Sequence, residues 1–315
     1  MLDIRVHPEP ASLILDLCTV PMQQQLGIIG RIIEHTASRS VWASEGIGLS
    51  EAEDALRRYS CGLPTEAPGL HLDEIRKDAP ALKEYVNKLL EDHTWLQNAS
   101  DLALRYIPWK DELRRTVDVH LVAFGGPYID GGSWLKGSKI VVALDVWHLK
   151  DPDSLQTVAA HELNCAAIFA HFCRMERRGI RWYRDLSRDV AIQILLLYME
   201  GLSRFASLRG TYRDDLESCF RTMQAALDCA AAGLPIPRSA DLWQGGDGGG
   251  HIGGTVGVHI FRVLASTLDR DAFDKALREG PLAVLRLYET VSCLAGSPSL
   301  RVPSIYQHAP AGSNS

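Results

Sequence analysis

The chain has 315 residues, 46% of them hydrophobic and 23% charged, with a formal net charge of -6. That composition supports one large or two modest globular domains, and its acidity argues against a nucleic-acid partner, which needs a basic face. No apolar run reaches the roughly 18 residues of a membrane span, the opening Met1-Leu2-Asp3-Ile4-Arg5 lacks a leader pattern, and seven scattered cysteines point to reduced thiols in a cytoplasmic protein rather than to a disulfide framework.

Residues 2 to 7 read as a short strand or extended segment. Helical periodicity begins near Pro10 and runs through Leu13, Leu15 and Leu17 to Leu26, Ile29 and Ile32. Ser50-Glu51-Ala52-Glu53 resembles a capping box and predicts a helix to Tyr59, which Gly62-Leu63-Pro64 breaks. Leu70 to Leu104 is charged and amphipathic, and Pro80 divides it into two or three helices. This N-terminal region, residues 1–115, carries no chemical constellation and reads as a packing and substrate-shaping half that forms one cleft wall.

The pattern changes near residue 116. Val117 to Phe124 alternates with period two in its first half, and Lys139 to Val146 gives a second strand, with Gly131-Gly132 marking a turn between them. A small sheet, expected as antiparallel, therefore precedes the next helix. Asp151-Pro152 supplies that helix with a cap and a first-turn proline, and the helix runs to about Arg177 and stops at Gly179. A buried helix follows over 184–208 and another over 214–232. Gln244 to Gly254 holds seven glycines in eleven residues, without the Gly-Lys-Ser/Thr ending of a phosphate loop. Helices over 255–268, 270–278 and 281–294 precede a tail over 296–315.

The chemistry concentrates on Ala159-Ala160-His161-Glu162-Leu163-Asn164-Cys165. On a helix His161 and Cys165 share a face one turn apart, and Glu162 points about a quarter-turn away. His-Glu-x-x-His uses that spacing to grip a metal while the Glu activates water. Glu200 closes the apolar run of the following helix, where a buried carboxylate needs a cation, a metal or the surface.

Taken together, these segments resemble the zincin-like metallopeptidases of the gluzincin kind. Ala159 to Leu163 looks like the start of that family's motif. Tyr198-Met199-Glu200-Gly201-Leu202-Ser203 resembles the segment that supplies its third metal ligand. Gly253-Gly254-Thr255-Val256-Gly257, followed by Phe273, Leu277, Gly280-Pro281 and Tyr288, is similar to the C-terminal portion of predicted bacterial zinc-dependent proteases. The resemblance covers residues 117 to 292. It implies an α+β, mainly helical zincin-like domain over 116–295, with a small sheet before the motif helix. It also implies zinc, or another divalent transition metal, and a peptide or small-molecule substrate.

The departure is Cys165, which stands where the family has its second His, and three readings stay open. Cys165 is a ligand beside His161 and Glu200, making the bound centre less positive and a weaker Lewis acid than a two-His site. Alternatively His171, ten residues beyond His161, is the third ligand, although on a straight helix it lies about 15 Å away. In the last reading no metal binds, and Cys165 is a nucleophile or a core residue. The first reading makes Glu162 the general base and His251, after the glycine run, an oxyanion donor. His259 and Tyr198 are lesser candidates, and Asp145, Trp147 and His148 are candidates for substrate contact. The expected activity is metal-dependent hydrolysis of an amide or peptide-like bond. The alternatives are a peptidase-fold enzyme recruited to a non-hydrolytic step on a small molecule, or a catalytically silent binding protein.

Overall fold

A computed structural model describes residues 2–44, 46–63, 70–124, 131–136, 139–184, 186–208, 215–236, 242–243 and 252–303. The described chain is mainly helical with one four-stranded sheet. Its contacts divide it into two units: residues 1–102 with 111–166, and 103–110 with 167–315. No described helix is long and apolar enough to cross a membrane.

The first unit is built on strands β1 (Leu2–His7), β2 (Arg115–Val122), β3 (Gly131–Lys136) and β4 (Lys139–Asp145), in the order β1-β2-β4-β3. The two strands expected to pair antiparallel, β2 and β4, run parallel, with Val117 opposite Ile140 and Leu121 opposite Leu144. The antiparallel partner of β4 is β3, which contains the two glycines read above as a turn. Gly131 cannot be a larger residue there, because a Cβ on it would lie 2.8 Å from Val158 Cγ1. β1 joins β2 in parallel, with Ile4 opposite Val117 and His7 opposite His120. The central strands are buried along most of their length, as parallel strands covered on both faces are.

Helices α1 (Glu9–Thr19), α2 (Met22–Glu34), α3 (Thr36–Ser44), α4 (Leu49–Ser60), α5 (Leu72–Glu91) and α6 (Thr94–Leu104) come between β1 and β2. α1 packs on α2, α5 and β2. The cap of α4 lies two residues before the expected one: the Glu51 side chain accepts the Gly48 N–H at 3.4 Å. Pro80 does not divide α5, which runs unbroken from residue 72 to 91. Pro80 is exposed, so the carbonyl of Arg76 that it deprives of a donor can turn to water.

Helix α7 (Pro152–Arg177) begins as the sequence predicts, with Asp151 Oδ1 accepting the Ser154 N–H at 2.8 Å. It ends where Gly179 takes a φ of +76° and the Ile180 N–H returns to the Met175 carbonyl. The division between the units falls within α7, between Ala166 and Ala167.

In the second unit follow α8 (Arg188–Ala206), α9 (Leu216–Ala231), α10 (Ile252–Thr267), α11 (Arg270–Glu279) and α12 (Pro281–Ser292). The hub is α10, buried from Ile252 to Val258 and packed on α8, α9 and α12. α8 and α10 touch backbone to backbone. A Cβ on Gly257 would lie 2.5 Å from Gly201 Cα, and one on Gly201 would lie 2.6 Å from Gly257 Cα. Gly253 likewise leaves room for the Trp243 indole, whose Nε1–H donates to Gln193 Oε1 at 2.8 Å.

Candidate metal centre

Three candidate side chains project from α7. His161 is 4%, Glu162 9% and Cys165 6% exposed. The one-turn spacing brings Cys165 Sγ to 3.7 Å from His161 Nε2. Glu200, six residues before the end of α8, completes the group: single ligand atoms of His161, Cys165 and Glu200 all lie within 4.8 Å of one another.

The donor set suits a divalent transition metal. Imidazole nitrogen, thiolate sulfur and carboxylate oxygen are each ordinary ligands of such ions. Two tetrahedral ligands at the usual nitrogen and sulfur distances would be about 3.6 Å apart, close to the observed Cys165–His161 separation. Three protein donors would leave a fourth position for water or substrate. With neutral His161 and two anions, the donors carry a formal charge of -2. Arg204 Nε approaches Glu200 Oε2 at 3.4 Å, one turn along α8, and adds a cation behind the carboxylate. Arg204 is thus the cation expected as one possible partner of Glu200, and a Glu followed four residues later by an Arg is the sequence signature that could have named it.

Glu162 lies beside the edge strand. A Cβ on Gly131 would lie 3.3 Å from Glu162 Cγ, so the β3 backbone borders the stem of this carboxylate. Because β3 pairs only with β4, its other edge carries no ladder partner among the described strands.

The remaining candidates lie elsewhere or serve packing. His171 is not in the metal-capable group; its ring stacks on Trp109 at 3.9 Å and meets Phe172 edge-on. Tyr198 is 3% exposed, and its hydroxyl donates to the Leu277 carbonyl. Burial pushes its phenol far up. His259 sits edge-on to Phe220 and Tyr288, and burial lowers its pKa. Asp145 accepts the backbone N–H groups of Phe124 and Trp147, fixing the end of β4. Trp147 stacks on His71 at 5.8 Å, and His148 meets Trp147 edge-on. His251 and residues 244–250 of the glycine run lie outside the described residues.

Comparison with known protein families, curated proteins and solved structures finds no match.

Proposed function

We propose that this chain is a metal-dependent hydrolase of amide or peptide-like bonds, with a zincin-like catalytic region. The observation that carries the reading is the gathering of His161, Cys165 and Glu200 within 4.8 Å, with Glu162 next in sequence to His161. His161, Cys165 and Glu200 hold the ion, most simply zinc. When bound, zinc supplies Lewis acidity toward a carbonyl and acidifies water. Glu162 takes the proton from the attacking water and passes it to the leaving amine. The unpartnered edge of β3 orients an extended substrate beside Glu162 by strand addition. His251 remains the proposed donor to the developing oxyanion. Cys165 in place of a second imidazole lowers the positive charge of the centre, so reactive or specialised amides are favoured over ordinary peptides. A cytoplasmic location belongs to the same proposal, since all seven cysteines are thiols with no disulfide among them.

Elemental analysis of protein purified without a histidine tag tests the site. Close to one equivalent of a transition metal is expected, falling to under about a tenth in Cys165→Ala. Stoichiometry under a tenth in the native protein overturns the proposal. Against a library of peptides and acyl amides, Glu162→Gln is expected to lose at least about a hundredfold in kcat while keeping its metal.

A second reading has its own support. The Glu200–Arg204 ion pair already neutralises the carboxylate, as a metal-free structural helix would require. Under that reading Arg204→Gln destabilises the protein, and zinc does not restore it. Under the first, zinc restores it.

A further inference from the structure

The second unit contains a cavity of about 790 Å³ between the C-terminal turns of α7, residues 179–184 with Leu186, and the first turns of α8. This volume is typical of small-molecule sites. Its walls are apolar and aromatic. Phe169 on α7 and Ile192 on α8 both line it and are 40% and 41% exposed, so the cavity presents apolar surface to a ligand. Phe172 and Trp182 form a further wall, their rings 6.0 Å apart. Phe172 is fixed from behind by Tyr198, and Gly280, at a φ of +103° that favours glycine, lies against both residues. Tyr183 is pinned by donating its hydroxyl to Glu176 at 2.7 Å.

The polar lining is cationic. Arg181, Arg184 and Arg188 all line the cavity, against one carboxylate, Glu176. Among the described residues none of the three guanidiniums forms an ion pair. Residues 174–188 hold six arginines against Glu176 and Asp185, in a chain whose net charge is -6. All six are arginine rather than lysine, and the planar fork of arginine matches the paired oxygens of phosphate and carboxylate. The N-terminus of α8 also opens here, and its dipole adds positive potential.

We propose that this cavity binds a small organic anion: a flat apolar body seated between Phe169, Phe172, Trp182 and Ile192, with a phosphate or carboxylate held by the arginines. The site is distinct from the His161–Cys165–Glu200 group and stands whether or not that group holds a metal.

Isothermal titration calorimetry in excess chelator tests it with 1-naphthyl phosphate, 1-naphthoate, 1-naphthol and inorganic phosphate. Saturable one-to-one binding of at least one naphthyl anion is expected. Naphthol and inorganic phosphate should each be weaker by about tenfold or more, since each lacks half of the recognition. The tighter of the two anions identifies the head group. The exposed double variant Arg184→Gln/Arg188→Gln should weaken the naphthyl anion about tenfold or more and leave naphthol unchanged. Phe169→Ala should weaken naphthol and naphthyl anion alike. Failure of both anions to saturate at millimolar concentration overturns the proposal. So does naphthol binding as tightly as the anions, or an unchanged affinity in the double arginine variant. Because chelator is present throughout, none of these outcomes depends on the metal reading.

Discussion

His7, His120 and His35 converge in the first unit. His7 and His120 stack at 4.6 Å because they are register partners in β1 and β2, and His35 meets His120 edge-on at 5.4 Å. Burial, then the nearby His7 and His35, push the His120 pKa down to about 4. Asp118 accepts from His7 and from Lys139. Burial opposes its ionisation, but these two partners outweigh it and hold its carboxyl low. The sign follows directly. The unfolded chain binds a proton at His120 from about pH 6.5 downward, while the folded chain resists until about pH 4. Stability is therefore full above pH 6.5 and declines toward pH 4, by about 2 kcal/mol after allowance for partial exposure. Below that, Asp118 protonates and a further loss follows. Urea unfolding at stepped pH checks this, and His120→Gln should flatten the decline between pH 6.5 and 4. At this scale the sequence was informative where spacing fixes geometry. His161 and Cys165 share a helix face whatever surrounds them. It was uninformative where a partner is distant: nothing in Val117 to Leu121 announces that His7 will stack on His120.

Among the elements, the α8–α10 crossing decides where Glu200 stands, since its neighbour Gly201 is the point of contact. Gly201→Ala or Gly257→Ala forces the backbones apart and should lower stability by about 1–3 kcal/mol in chemical denaturation. Gly27→Ala in α2 is the contrast. No atom lies within 4 Å of its would-be Cβ, so it should be neutral or stabilising by up to about 1 kcal/mol. Helix positions were legible because periodicity, Asp151 and Gly179 mark them locally. Strand partners were not. The parallel pairing of β2 with β4 depends on β3, whose two glycines look like a turn until Val158 is seen to need the space at Gly131. Pro80 misled for a related reason: a proline on the wet face of a helix costs far less than one inside the core.

For the whole molecule, a metal that binds only the folded chain must stabilise it by mass action. At a thousandfold excess over Kd the gain is about 4 kcal/mol. Thermal unfolding with zinc and then with chelator should thus differ by several degrees in the native protein and coincide in Cys165→Ala. The mainly helical character with a small sheet was legible from the alternation of 3.6- and two-residue periods. The partition was less so, because one unit takes in residues 103–110 from far upstream of its bulk, and no local signal in that stretch marks such an exchange. The pairing of Leu2 with Arg115 carries a temporal consequence. On the ribosome β1 is made more than a hundred residues before β2, its ladder partner among the described strands, a wait on the order of ten seconds. Until then the nascent segment's backbone groups must be satisfied by water or by a chaperone, and the sheet cannot template the helices that are made in the interval.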